Sequence, residues 1–169
     1  MSYEALVNRQ RIRAIEYEGP RLRRHVAGLL QVAERGLTGA RIEANPLDIR
    51  HNLAYDAARS ATEAMMAAEG YRHGPGPDAH VMILEFLATV DDGRFAHEAQ
   101  YYNEARKLRN KTQYEVADLV SRWTAQVILR RTDQFVNEVR AWIGTHHPEL
   151  IEPALSGTEQ TDAPHTEGD

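Results

Sequence analysis

The sequence predicts an all-α protein, an up-and-down bundle of four to five helices, and three observations predict it. Apolar residues recur at helical spacing through most of the 169 residues. No run alternates Val, Ile or Thr with polar residues, and no Asn-Gly marks a hairpin. Gly, Pro and Asp punctuate the chain at intervals that suit helices joined by short connections.

Taken in order, a short first helix is expected over residues 3–17, ending at Gly19-Pro20. The second starts at Pro20, where the ring suits a first helical turn, and carries the stripe Leu22, Val26, Leu29, Leu30, Ala33, Leu37. The third has Asn45 as N-cap, Pro46 in its first position and Asp48 near the positive end of the helix dipole, with Gly70 as its stop. Its stripe is Ile49, Leu53, Ala57, Ala61, Ala64, Met65, Ala68, and the small residues allow a neighbouring helix to approach closely. Residues 71–78 read as a loop. Asp78 is placed to cap a fourth helix with Val81, Leu84, Leu87 and Ala88, which Asp91-Asp92-Gly93 ends. A fifth helix is expected from Arg94 to Asn110, with Phe95, Ala99, Tyr102, Ala105 and Leu108 on one side. A long last helix follows from Val116 to Ile143, its stripe including Leu119, Val120, Trp123, Val127, Ile128, Phe135, Val139 and Trp142. The predicted organisation is an N-terminal helical extension (1–19), the bundle (20–147) and a disordered, polar tail (148–169).

Composition narrows the function classes. A net charge of −5 gives no case for tracking duplex DNA, whose partners present basic surfaces. There is no cysteine, hence no disulfide framework and no thiolate metal site, which agrees with a reducing cytoplasm. No apolar run approaches the ~20 residues that span a bilayer, and the N-terminus has no apolar signal core, so no membrane association is expected. The histidines, His25, His51, His73, His80, His97, His146, His147 and His165, are scattered over loops, tail and different helices. His146 and His147 are adjacent rather than i,i+4, which does not suit chelation, and no cofactor is expected. The segment GPGP is blocked by proline and is no phosphate loop. Tyr101, Tyr102, both tryptophans and Met65-Met66 read as core.

Two polar features break the pattern. Asp56 lies at the edge of the apolar stripe of the third helix, where a partly desolvated carboxylate requires a donor or cation. Arg59, three residues on, is one partner. The second feature is the stretch Arg106 to Tyr114. Arg109 follows Tyr102 by seven residues and Phe95 by fourteen, so it falls on the inward side, where a guanidinium seeks a carboxylate or a phosphate. Asp56 is a candidate structural partner; a solvated helix end favoured by the dipole is the alternative. On a straight helix Arg109 and Tyr114 lie about 140° apart, so they converge only where the helix ends or bends, for which Asn110 and Thr112 are candidates.

The stretch from Ala54 to His80, AYDAARSATEAMMAAEGYRHGPGPDAH, followed about 25 residues later by ARKLRNKTQYE (Ala105 to Glu115), resembles a HEPN domain. More narrowly it resembles small stand-alone actinobacterial HEPN proteins with an Arg-Asn-x-x-x-Tyr motif, and the likeness covers roughly residues 20–145. The resemblance implies a helical bundle that forms two-fold homodimers. It also implies metal-independent endoribonuclease activity of the kind found in toxin–antitoxin and phage-defence systems, with a nucleotidyltransferase-like antitoxin as a further partner. Its site is an Arg followed after four to six residues by a His, and the dimer brings both copies into one cleft. Arg109 matches the Arg, Asn110 the neighbouring polar residue, and Asp56 an acidic residue on the Ala-rich helix. Tyr114 occupies the His position, and no histidine lies between His97 and His146.

That departure has a chemical consequence. Metal-free RNA cleavage needs proton transfer near neutral pH, which imidazole supplies, and positive charge on the phosphorane-like transition state, which Arg supplies. A phenol with pKa near ~10 is a poor base at pH 7, although it donates hydrogen bonds and stacks on bases. Three readings remain: an RNA-cleaving enzyme using Arg109, Asn110 and Tyr114; a module that binds RNA, a nucleotide or a partner protein without catalysis; and a structural dimer in which Arg109 serves only Asp56. The face formed by Ala57, Ala61 and Ala64 is a candidate dimer surface.

Overall fold

The computed structural model describes residues 3–114 and 119–151 of the chain. The side chains at 3, 4, 113 and 114 are outside that description. In chain order come α1 (Tyr3–Asn8), β1 (Ile12–Ala14), α2 (Gly19–Arg41), α3 (Leu47–Ala68), β2 (Tyr71–His73), α4 (Ala79–Leu87), α5 (Val90–Gly93), α6 (Ala96–Tyr114), α7 (Arg122–His146) and α8 (Pro148–Ile151). The all-α expectation holds, and the long helices alternate in direction. Gly36 and Gly39 of α2 lie against Ala57 and Leu53 of α3, so the first pair is antiparallel. Phe95 meets Phe135, and Tyr102 meets Thr132, so α6 and α7 are antiparallel as well. Two ion pairs across α2 and α7, Arg41 with Asp133 and Arg140 with Glu34, show the same sense.

α3 is the central element. Its small residues let α2 press close: a Cβ on Gly36 would stand 3.0 Å from the Leu53 carbonyl oxygen and 3.1 Å from the Ala57 Cβ. Ala57, Ala61 and Ala64 are buried by this chain's own helices. They are therefore closed to a second copy, and the sequence-based dimer surface is corrected. Ile49, expected in the same stripe, is 43% exposed in the first turn of α3.

The N-terminal segment differs from the expected single helix over 3–17. α1 ends at Asn8, the chain turns through Gln10 at φ 57°, and β1 pairs antiparallel with β2, Ile12 opposite His73 and Ala14 opposite Tyr71. The residues from 71 that read as loop thus begin with a strand. Each strand has three residues, too few for a visible alternation. Burial of Leu6 and Ile12 and a bidentate pair from Arg11 to Glu85 (2.8 and 3.0 Å) fasten this segment to the bundle.

The ends of α3 and the start of α4 fall within a residue or two of their expected places, whereas α6 runs on to Tyr114 rather than Asn110 and α7 to His146 rather than Ile143. Asn45 does not cap α3; its Nδ2 donates to the Gly39 carbonyl (3.0 Å) and closes the end of α2 instead. Asp78 makes no capping bond and lies 4.0 Å from Arg11. Asp91, Asp92 and Gly93 all take the left-handed conformation, which ends the α4–α5 segment, and Asp91 accepts a bond from the indole of Trp142 (3.2 Å). α7 begins at Arg122, not Val116. Ser121 has extended backbone and its Oγ accepts from the Thr124 amide (3.0 Å), a proper N-cap. Val116 lies outside the described residues. Trp123, read as core, is 70% exposed, because it falls in the first turn of α7. Pro148–Ile151, expected in the tail, is helical, and Leu150 joins the core. Residues 152–169 lie outside the described residues.

Candidate functional site

α3 carries one polar stripe on an otherwise buried surface. Asn52, Asp56, Arg59 and Glu63 succeed one another at helical spacing and share a face. α6 packs against α3 in the antiparallel sense and brings Arg106 and Arg109, one turn apart, over this stripe.

Asp56 receives both cations that the sequence offered it. Arg109 Nη2 stands 3.4 Å from Asp56 Oδ2, and Arg59 Nε stands 3.8 Å from Asp56 Oδ1. Arg59 also donates to Glu63 at 3.0 Å. Arg106 spends two N–H donors on the neutral amide oxygen of Asn103, at 3.3 and 3.1 Å. Among these side chains three guanidinium groups thus face two carboxylates. The Arg109 side chain is only 19% exposed, which confirms its inward position.

Beneath the arginines lies a pair the sequence did not join. Tyr55, on α3, is buried, and the Arg109 guanidinium carbon is 5.8 Å from its ring centroid. The Tyr55 hydroxyl is 3.0 Å from Nδ1 of His80, the second residue of α4, and the two rings stack at 22° with centroids 5.7 Å apart. Burial pushes the Tyr55 phenol up to about 12, against the opposing charge of Arg106, Arg59 and Arg109. It remains a neutral O–H across the physiological range. Burial also holds the His80 imidazole below its usual range, and Arg59, Arg109 and Arg106 lower it further while Asp56 opposes them. His51, one turn before Tyr55 on α3, is buried, with Nδ1 3.3 Å from Asn52 Oδ1. Burial is the main cause lowering its pKa, with Arg109 adding to the effect.

The structure therefore brings together Arg109 and Asp56, as the sequence suggested, and adds Arg59, Arg106, Tyr55, His80 and His51. Asn110 is exposed. The Tyr114 backbone closes α6, and its side chain lies outside the described residues. α6 runs unbroken through Arg109, Asn110 and Thr112, so the bend that would let Arg109 and Tyr114 converge within one chain is absent. Thr112 donates to the Arg109 carbonyl at 2.9 Å and is accommodated inside the helix. The signal for Tyr55 and His51 was present as an i,i+4 pair beside the polar stripe. Nothing local marked His80, because its partner is 25 residues away in sequence.

Chemically, clustered guanidinium groups over a partly buried floor suit an anion, and planar N–H forks match phosphate oxygens. An uncharged imidazole beside them suits proton transfer. Among the described residues no three His, Cys, Asp or Glu side chains gather as a metal site, and no helix is long and apolar enough to cross a membrane. Compared with family models, curated proteins and solved structures, the chain matches none.

Proposed function

We propose that this chain is a HEPN-like protein acting on RNA, a metal-independent endoribonuclease of the toxin-like kind, with Arg109 as the phosphate-facing residue. The observation that carries the reading is Arg109 lying over the buried Tyr55 ring, whose hydroxyl meets His80, with the charges of Arg106 and Arg59 acting on the same pair. Asp56 positions Arg109 at 3.4 Å. Asn110 and Tyr114 are assigned to contacts with the nucleic acid, Tyr114 by stacking or hydrogen bonding rather than as a base. A two-fold homodimer that joins two such sites, a nucleotidyltransferase-like antitoxin, a role in phage defence and a cytoplasmic location belong to the same reading. No bound cofactor is required.

A second reading has its own support. Tyr114 in the family's His position favours a module that binds RNA, a nucleotide or a partner protein without cutting it. The Arg109–Asp56 pair itself supports the third, purely structural role.

The test is expression of wild type and Arg109→Ala, with measurement of growth, integrity of cellular RNA and affinity of the purified proteins for single-stranded RNA. The expected result is growth arrest and RNA fragmentation with the wild type. Both should vanish in the variant, whose affinity should fall about 10- to 100-fold through loss of charged hydrogen bonds. RNA affinity unchanged in a folded Arg109→Ala protein would leave only the structural role. Binding lost with no RNA fragmentation in the wild type would select the non-catalytic module.

A further inference from the structure

We infer, resting on the RNA-directed reading of Arg109, that His80 oriented by Tyr55 is the general base of this site and takes the place of the histidine absent from position 114. Three observations carry the assignment. His80 enters from α4, yet its ring is fixed by the Tyr55 hydroxyl at 3.0 Å from Nδ1 and by stacking on the same ring. The floor that fixes it is the floor on which Arg109 rests, 5.8 Å from the Tyr55 centroid. The charges of Arg59, Arg109 and Arg106 act on His80 alongside its burial.

Tyr55 suits this task because a hydroxyl both donates and accepts. When His80 carries its proton on Nδ1, that N–H donates to Tyr55 Oη and Nε2 is left as the base. When His80 is doubly protonated, the same contact persists. The hydrogen bond on one ring nitrogen thus sets the role of the other. Burial disfavours the imidazolium, Arg59, Arg109 and Arg106 add to that effect, and among the described residues Asp56 opposes it.

The step balances without a metal or co-reactant. His80 Nε2 takes the proton from a ribose 2′-hydroxyl, the 2′-oxygen forms a bond to the adjacent phosphorus, and the bond from phosphorus to the 5′-oxygen breaks. The 5′-oxygen leaves with a proton drawn from water, and His80 returns its own proton to solvent. Arg109 and Arg106 face the charge that develops on the phosphorane oxygens. The products end in a 2′,3′-cyclic phosphate and a 5′-hydroxyl.

The experiment uses the full chain and an end-labelled single-stranded RNA oligonucleotide, comparing wild type with His80→Ala, Tyr55→Phe and Arg109→Ala. Cleavage by His80→Ala is expected to fall ~10²–10⁴-fold while RNA affinity stays at the wild-type value. Added imidazole should restore part of the rate, which a merely structural role would not allow. The wild-type rate should rise with pH to a half-maximum below the 6.5 of an ordinary imidazole. Tyr55→Phe should move that half-maximum. A folded His80→Ala protein that cuts at the wild-type rate overturns the assignment, and so does a wild type that binds RNA through Arg109 but never cuts it. In both cases Arg109 stands as an RNA-binding residue, and in the second the non-catalytic module replaces the endoribonuclease. Equal binding by wild type and Arg109→Ala sinks that reading and the assignment together. Should His80→Ala fail to fold, His80→Gln takes its place, and a folded His80→Gln protein that cuts at the wild-type rate overturns the assignment.

Discussion

Around Arg109 the buried titratable groups set limits on stability from both ends of the pH scale. Tyr55 has a folded pKa of about 12 against an ordinary 10.0. Above pH 10.0 the unfolded phenol gives up its proton while the folded one keeps it, so the unfolded state binds fewer protons and stability falls until pH passes about 12. Two units correspond to about 3 kcal/mol for a fully buried group. Tyr102, raised by burial as well, adds in the same direction. His51 and His80 behave oppositely: their folded pKa values lie below 6.5, so their contribution is present above that pH and is lost as pH falls below it. The expected outcome is a denaturation midpoint that is flat near neutrality and declines above pH 10 and below pH 6.5, with Tyr55→Phe removing part of the alkaline decline. A midpoint that is constant from pH 10 to 12 would show that Tyr55 ionises freely in the folded protein.

At the scale of elements, the site depends on how closely α2, α3 and α6 are packed. The contact of α2 with α3 turns on Gly36, where a Cβ would meet the Leu53 carbonyl oxygen at 3.0 Å. Gly36→Val is expected to destabilise by about 1–3 kcal/mol, because the obstructing atoms are backbone and Ala57 Cβ and have no rotamer in which to move aside. Gly28, on the same helix with nothing within 4 Å of its would-be Cβ, is the control. Gly28→Ala should stabilise by up to ~1 kcal/mol through helix propensity. Urea titration of the two variants checks both signs, and a Gly36→Val midpoint equal to that of wild type would mean that α2 can retreat from α3 without cost.

For the whole molecule, the open matter is how one chain meets another. Ala57, Ala61 and Ala64 are used internally, so the proposed homodimer needs a different surface. Trp123 (70% exposed) and Leu119 (43%) are large apolar side chains left uncovered just after the end of α6 in the chain. An exposed tryptophan is a candidate for the contact with a second copy. Sedimentation at micromolar concentration is expected to show a dimer that Trp123→Glu converts to a folded monomer. A wild-type monomer, unchanged by the substitution, would confine the chemistry to the side chains of one chain.

The sequence by itself determined the helices, most of their ends, and the inward position of Arg109. Each of these depends on residues within a few positions of one another, such as the seven-residue step from Tyr102 to Arg109 or the left-handed run at Asp91 to Gly93. It also showed that Asp56 required a cation and offered Arg59 and Arg109 as partners, though it did not show that both would serve. Tertiary structure alone decided that the small-residue face of α3 belongs to α2, and that three residues at each of two distant places form a sheet. It also decided that His80 comes to rest on Tyr55 beneath the arginines. The reason is physical: periodicity reports which face of a helix is apolar, whereas the partner of that face is set by packing between segments, and a hydrogen bond spanning 25 residues leaves no trace in either local pattern.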